Sequence, residues 1–349
     1  MKLYNRNWTR RDLEARAGRM DAIGGIRRFR EEHGPETGVE WIQVRTGGGL
    51  TYYANASRAL DISLLEYCGA PLSWHAVNGE INPNYFDPEG MEWLRTAAGG
   101  FLMTCGLLTA GAPSEDGGEK FGIHGRIHHL PARVLNAEAA WEGDEYSMRI
   151  KGVADETRIF GENLRLTRQI ESRLGENRII LNDRVENLGF KPVPHMFLYH
   201  FNFGFPLMDD NTEIIIPSRK VVRREEDYPL EGWDRWDAPE ADYQERVYYH
   251  EMDPAEIRDG MARAEIVNPN FPAGGHAAVR LTVRLEWDVE TLPRLTEWKM
   301  PEAGTHALGI EPANCLVEGR AAERKRGTLV TLEPGESKNY HVELTIESE

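Results

Sequence analysis

Cysteine is scarce. Cys68, Cys105 and Cys315 are the only three in 349 residues, and they form no CxxC pair, which argues against a disulfide framework and against a cysteine-ligated zinc site. Isolated cysteines of this kind behave mostly as small buried hydrophobes in a reducing compartment, so a cytoplasmic location is expected. Long apolar stretches are missing too. No uncharged run approaches the roughly 18 residues of a membrane span, and the leading MKLYNRNWTRRDLEARAGRM has no apolar core of the secretory type. Positive charge is in deficit, with 41 Lys and Arg against 57 Asp and Glu for a net −16. That balance argues against nucleic acid or an anionic membrane as a partner, because both are met by basic patches. It leaves small ligands open, including an anionic one in a local cationic pocket. Finally, no GxGxxG, GxxxxGK[ST], HExxH or GxSxG falls in the strand and helix context its chemistry needs, so nucleotide, zinc-protease and serine-hydrolase readings lose their usual support.

What is present is β-structure. From about residue 40 the chain is a succession of short alternating runs, among them VEWIQVRT, LTYYAN, YSMRIKGVA, LRLTRQIES, RIILNDRVEN, AAVRLTVRLEW and NYHVELTIE. Clusters such as LGEN, DPEG and PGES separate them. Several runs carry polar residues at every second position, as strands with one wet face do. There is no linker and no fixed-period repeat. The expected fold is all-β, one large antiparallel β-sandwich over residues 45–349, preceded by a lead over residues 1–44. Within that lead, mixed charge and apolar spacing from Trp8 to about Glu32 predicts a short helical stretch, with Thr9 as N-cap. The lead is expected to cover a sheet edge or to support a homodimer. The acidic, tryptophan-rich stretch from Arg223 to Gln244, which contains EGWDRWDAPEADYQ, reads as a long surface excursion.

Three constellations could carry chemistry. In GIHGRIHH (122–129) an extended backbone would put His124, Arg126 and His128 on one face, a set of groups able to grip several oxygens of a polyol. The same tripeptide HGR also reads as an exposed turn. A metal reading fails on spacing, since His124 and His128 would converge on one ion only on a helix, which Gly122 and Gly125 disfavour. In YHFNFGFP (199–206) His200 and Asn202 share one strand face while Phe201 and Phe203 take the other, and a histidine so placed can exchange a proton near neutral pH. A satisfied core histidine is the plain alternative. In GTHALGIEPANC (304–315) Glu311 ends an apolar run against Pro312, which stops strand pairing beside the carboxylate; a carboxylate and an imidazole together form a complete proton-transfer pair. Trp74, Trp287 and Trp298 offer faces on which a sugar could stack, or simply fill a core.

Taken in order, DISLLEYCGAPLSWH (61–75), GGFLMTCGLLTAGAP (99–113), FGIHGRIHHLPA (121–132), FLYHFNFGFPL (197–207), LEWDVETLPRLTEWKM (285–300), GTHALGIEPANC (304–315) and LVTLEPGESKNYHVELTI (329–346) resemble the aldose 1-epimerase (galactose mutarotase) superfamily, in its divergent, uncharacterised bacterial branch. The resemblance spans roughly residues 45–347 and implies an enzyme that interconverts the α and β anomers of a free or anionic sugar. It assigns His124 to binding sugar hydroxyls, His200 as general acid and Glu311 as general base, with no metal and no organic cofactor. The segment HGRIHHLPA stands where the family has an HGGxxGFD-like one, and the family's substrate-binding aspartate has Asp253 as its nearest counterpart. Arg126 would read an anionic group on the sugar; His128, Asn202 and Trp298 complete the expected binding set. Arg219 and Lys220 are further candidate cations for a sugar-phosphate epimerase, and a non-catalytic carbohydrate-binding or sensing protein on the same fold is the other alternative.

Overall fold

A computed structural model describes residues 1–275 and 277–349. Twenty strands build its three main sheets, and two small hairpins, at residues 2–7 and 114–121, lie outside them. The first sheet has five strands in meander order: β1 (Gly25–Arg30), β2 (Glu40–Arg45), β3 (Leu50–Asn55), β4 (Asp61–Tyr67) and β5 (Ala70–Pro71). Next come β6 (Leu102–Leu107), β7 (Arg133–Glu142), β8 (Glu145–Thr157), β9 (Asn163–Arg173), β10 (Arg178–Asn187), β11 (Val193–Phe203), β12 (Glu213–Ile215) and β13 (Ser218–Arg223). They are followed by β14 (Arg246–Met252), β15 (Met261–Ala273), β16 (Ala277–Asp288), β17 (Arg294–Met300), β18 (Ala307–Ala313), β19 (Val330–Leu332) and β20 (Ser337–Ser348).

An eight-stranded sheet runs β7-β8-β9-β10-β20-β16-β15-β12, and a seven-stranded one runs β13-β14-β17-β18-β11-β19 with β6 also on β11. The pairings are antiparallel throughout. This is the expected large antiparallel sandwich.

The alternation read from the sequence sets which sheet face is dry. On β9, Leu164, Leu166, Arg168, Ile170 and Ser172 point inward while the residues between them stay partly exposed. The core contains these apolar side chains, Ile42 and Tyr52 of the five-stranded sheet, and Phe197, Tyr199, Phe201 and Phe203 of β11. The other face of β11 is also covered. Met196 and Leu198 pack there with Cys105, Val247, Ala313 and Cys315, which explains why β11 is almost continuously buried. A sheet buried on both faces can hold a polar site only in a recess, and the seven-stranded sheet has one.

The lead departs from its expected helix. Thr9 does cap α1, accepting from the Asp12 amide, but α1 is only Arg10–Glu14 and is followed by a single 3₁₀ turn at Met20–Ala22. Residues 25–30 are strand β1, paired with β2 along its length. A helix shorter than about 12 residues holds little by itself in water, whereas β1 gains a full ladder and an Arg28–Glu40 ion pair across it. The expected boundary after residue 44 therefore falls inside β2. Among the described residues no helix is long and apolar enough to cross a membrane.

Candidate active site

Strand register brings two distant candidates together. β11 pairs with β18 so that Phe201 faces Ile310 and Asn202 faces Gly309, which sets His200 opposite Glu311. β17 on the other side of β18 places Thr296 beside Glu311 and Trp298 beside Gly309. His200 Nε2 and Glu311 Oε1 lie 3.1 Å apart, both buried. The Asn202 amide holds this stretch of β11 by donating to the carbonyls of Gly100 and His200. Phe201 and Phe203 are packed in the main core, as their alternation with His200 requires.

The pair sits at a cavity of about 850 Å³ whose walls include Trp74, Trp93, Met103, His124, His200, Thr296, Trp298 and Glu311. The His124 and Trp298 rings stand edge-on to His200, with centroids 5.7 and 5.5 Å away. Trp74 meets Trp298 at 5.8 Å and Trp93 meets His124 at 5.0 Å. His124 has a left-handed backbone, φ 56°, between hydrogen bonds to Gly106 and Gly111, and its Nδ1 accepts the Gly111 amide at 3.3 Å. The neutral tautomer is thereby the one with a proton on Nε2, a donor for a ligand oxygen. Gly125 beside it also has positive φ, and a Cβ there would come within 2.3 Å of the Gly106 carbonyl, so the tight HG turn needs glycine at 125.

Burial governs the electrostatics. Desolvation raises the Glu311 carboxyl to about 8, with the nearby Glu245 carboxylate adding to the rise and Arg224 opposing it. The same loss of water lowers His200 to about 4 and His124 to about 3. Each group is thus held toward its uncharged form. At neutral pH the His200–Glu311 pair carries one proton between two atoms at hydrogen-bond distance, ready to be passed either way. Several groups beside the cavity have no hydrogen-bond partner among the described residues: His200 Nδ1, Thr296 Oγ1, and the indole N–H of Trp74 and of Trp93. Buried polar atoms of this sort are normally satisfied, so these mark an unmet polar demand at residues that line the cavity.

The remaining expectations divide. Trp298 lines the cavity, its indole N–H donating to Glu245 at 2.8 Å. Arg126 and His128 do not share a face with His124, because residues 122–129 are not extended: they form a turn that closes into a 3₁₀ helix at Ile127–His129. Arg126 is exposed, over the ring of Phe86, outside the cavity wall. His128 turns into the core and pairs with Asp61 at 2.6 Å. Asn202 is a backbone clamp on β11 and does not line the cavity. Asp253 lies past the end of β14, where its carboxylate accepts the Ala255 amide, and it is not in the wall either. Trp287 is wholly buried in the main core. Arg219 is an exposed partner of Glu251 and, like Lys220, stays out of the cavity.

Four contributors were not legible beforehand. Trp93 belongs to an irregular span whose sequence has no period. Arg224 and Glu245 sit at the two ends of the acidic excursion, and only its return path brings them to hydrogen-bond distance, 2.8 Å. Gly309 faces the pair itself: a Cβ there would lie 3.0 Å from Glu311 Oε1 and 3.1 Å from His200 Cε1. The GIEP motif carries that signal, though its reason is visible only in three dimensions.

The sandwich, with the His200–Glu311 contact in a recess of one sheet, has the fold of galactose mutarotase-like proteins. A Klebsiella pneumoniae protein provisionally assigned as an aldose 1-epimerase superposes with a TM-score of 0.82 at 22% identity, over 92% of this chain and 83% of that one. The galactose 1-epimerase of Lactobacillus acidophilus gives 0.57 at 11% identity, over 93% and 98%, and a galactose mutarotase-like protein from Clostridium acetobutylicum 0.55 at 13%, over 93% and 99%. At these identities the likeness is one of fold. In sequence the chain belongs to the family described as a domain of unknown function, DUF4432, whose profile matches residues 36–346. No curated protein sequence matches it.

Proposed function

We propose that the protein is a mutarotase-type isomerase that interconverts the α and β anomers of a sugar by acid/base ring opening. The observation that carries this reading is the 3.1 Å contact between His200 Nε2 and Glu311 Oε1 at the wall of an 850 Å³ cavity. In a cyclic hemiacetal the anomeric hydroxyl and the ring oxygen are attached to one carbon, so a base and an acid that serve both must also be neighbours. The pair meets that condition, and the one proton it holds is the one the acid gives while the base takes another from the anomeric hydroxyl.

Ring opening uses the tautomer with the proton on His200. Glu311 takes the proton from the anomeric hydroxyl, a C=O bond forms at C1 while the C1–O5 bond breaks, and His200 Nε2 gives its proton to O5. This leaves a protonated carboxyl and a neutral imidazole, the forms that burial favours for each group. After rotation about C1–C2 the steps reverse: the carboxyl returns its proton to the carbonyl oxygen, the imidazole takes the one on O5, and the ring closes on the other face of C1. His124, through its Nε2 proton, and the Trp298 and Trp74 rings orient the sugar. No oxidant, reductant or co-substrate enters the balance.

Exchange spectroscopy by NMR across a panel of free hexoses and pentoses tests this directly. Catalysed exchange with at least one sugar is expected, and Glu311→Gln and His200→Asn should each lose it, by a factor of about 10² or more, while circular dichroism shows the fold retained. Full exchange in either variant would remove that residue from the mechanism. Binding of sugars without exchange in the wild type would favour a sensor on the same fold.

A further inference from the structure

Resting on the reading above, we infer that the substrate is an uncharged sugar that carries an apolar substituent away from its anomeric carbon. The first observation is the charge of the walls. Among the described residues lining the cavity, Arg224 is the one permanent cation, and it is already held by Glu225 and by Glu245, the latter at 2.8 Å. Glu318, which also lines the cavity, adds a third carboxylate, bonded to Arg326 and to the Tyr249 hydroxyl. A phosphate, sulfonate or carboxylate on the sugar would have to displace one of these acidic groups from the Arg224 fork or sit among them, and like charges in a recessed site repel.

The second observation is a group of wet apolar side chains in the wall. Val77, Met91 and Leu94 are 92, 51 and 49% exposed, yet all three line the cavity. They come from the irregular span between β5 and β6, which Asn78 ties down by donating to the carbonyls of Leu94 and Ala97 at 2.7 and 2.9 Å. Large apolar side chains gathered and left wet at the wall of a cavity mark a contact surface. Size points the same way. At 850 Å³ the cavity is near the top of the roughly 300–1,000 Å³ range of sites for drug-sized ligands, and a bare pyranose at the His200–Glu311 pair would leave the apolar wall in water. The substituent cannot be on the anomeric oxygen, because that hydroxyl must lose its proton. It therefore projects from another ring position.

The test compares anomer exchange of D-glucose and D-galactose with their 6-O-butyl ethers, their 6-phosphates and the corresponding uronic acids. The butyl ethers are expected to have kcat/KM about tenfold or more above the parent sugars, since even one methylene in an apolar pocket is worth about that much, and the anionic sugars to fall below the parents. Leu94→Asp should erase the ratio between ether and parent. Faster exchange of a phosphate or uronate than of its parent, or ethers no better than parents, overturns the inference while leaving the isomerase reading standing. If no sugar exchanges, that reading fails and binding decides the inference: quenching of tryptophan fluorescence should then show 6-O-butyl glucose binding more tightly than glucose, with glucose 6-phosphate weakest. Equal affinities, or tighter binding of the phosphate, would overturn it.

Discussion

One proton shared by two buried groups makes a specific demand on pH. Glu311, raised to about 8, and His200, lowered to about 4, titrate as a pair. Below the lower value the pair takes up a second proton and no base remains. Above the upper value it loses its only proton and no acid remains. The profile of kcat/KM, after subtraction of the uncatalysed exchange, should be flat between the two and fall on both sides. A single acid limb with no alkaline loss up to pH 10 would rule out the shared proton. Gly309 gives a steric test at the same scale. Gly309→Ala puts a methyl 3.0–3.1 Å from Glu311, Trp298 and His200, tighter than ordinary contact, so the pair must spread. Exchange should drop about tenfold or more, because misplacement of reacting groups is costly, with the melting temperature little changed. Undiminished exchange would show that the pair has slack.

At the scale of the elements, the two large sheets are joined by charge as well as by apolar packing. Arg168 on β9 forks onto Asp183 of β10 and reaches Asp61 of β4, and Tyr199 of β11 donates to Asp183 at 2.8 Å. His128 completes the network on Asp61. Burial opposes charge on Asp61, but the His128 hydrogen bond and Arg168 outweigh it, so its carboxyl stays below the usual range. Arg168→Leu would leave two buried carboxylates without their cation and should cost about 3–5 kcal/mol in denaturant unfolding; a loss under 1 kcal/mol would mean the acids had taken up protons. Glu156 on β8 behaves in the opposite sense. Burial raises it to about 7, against the Leu107 amide that donates to it. Its folded pKa lies above the unfolded value, so the folded state binds more protons between the two and stability falls as pH rises through that interval. Glu156→Gln should therefore stabilise the protein at pH 8 and have little effect at pH 4. Equal effects at both values would place the titration elsewhere.

For the molecule as a whole, closure of the eight-stranded sheet depends on its last strand. β20 lies between β10 and β16 and pairs with both, so the edges of the two halves meet only through it. Ending the chain at Gly335 would expose two long strand edges and part of the core, and such edges aggregate. We expect the truncated chain to lose its cooperative melting transition and to be recovered as aggregate; a soluble, cooperatively melting product would show that the halves fold independently.

The sequence determined the strands and their dry faces, because an alternation of period two can bury only one side of a ribbon: RIILNDRVEN reappears as β10, residue for residue. Its motifs, and the resemblance they carry, singled out His200 and Glu311 as candidates for proton exchange among 11 histidines and 57 acidic residues. It misjudged the lead, where mixed spacing matched a helix but Gly25–Arg30 had a strand to pair with, and it misplaced Arg126 and His128, where a turn replaced the extended backbone on which the common face rested. Only the tertiary structure decided that His200 and Glu311, 111 positions apart, face each other across one strand register, that Arg224 and Glu245 pair at the cavity, and that exposed apolar side chains line the same cavity. Those are contacts between segments remote in the chain, and local propensity has no term for the path by which the chain returns.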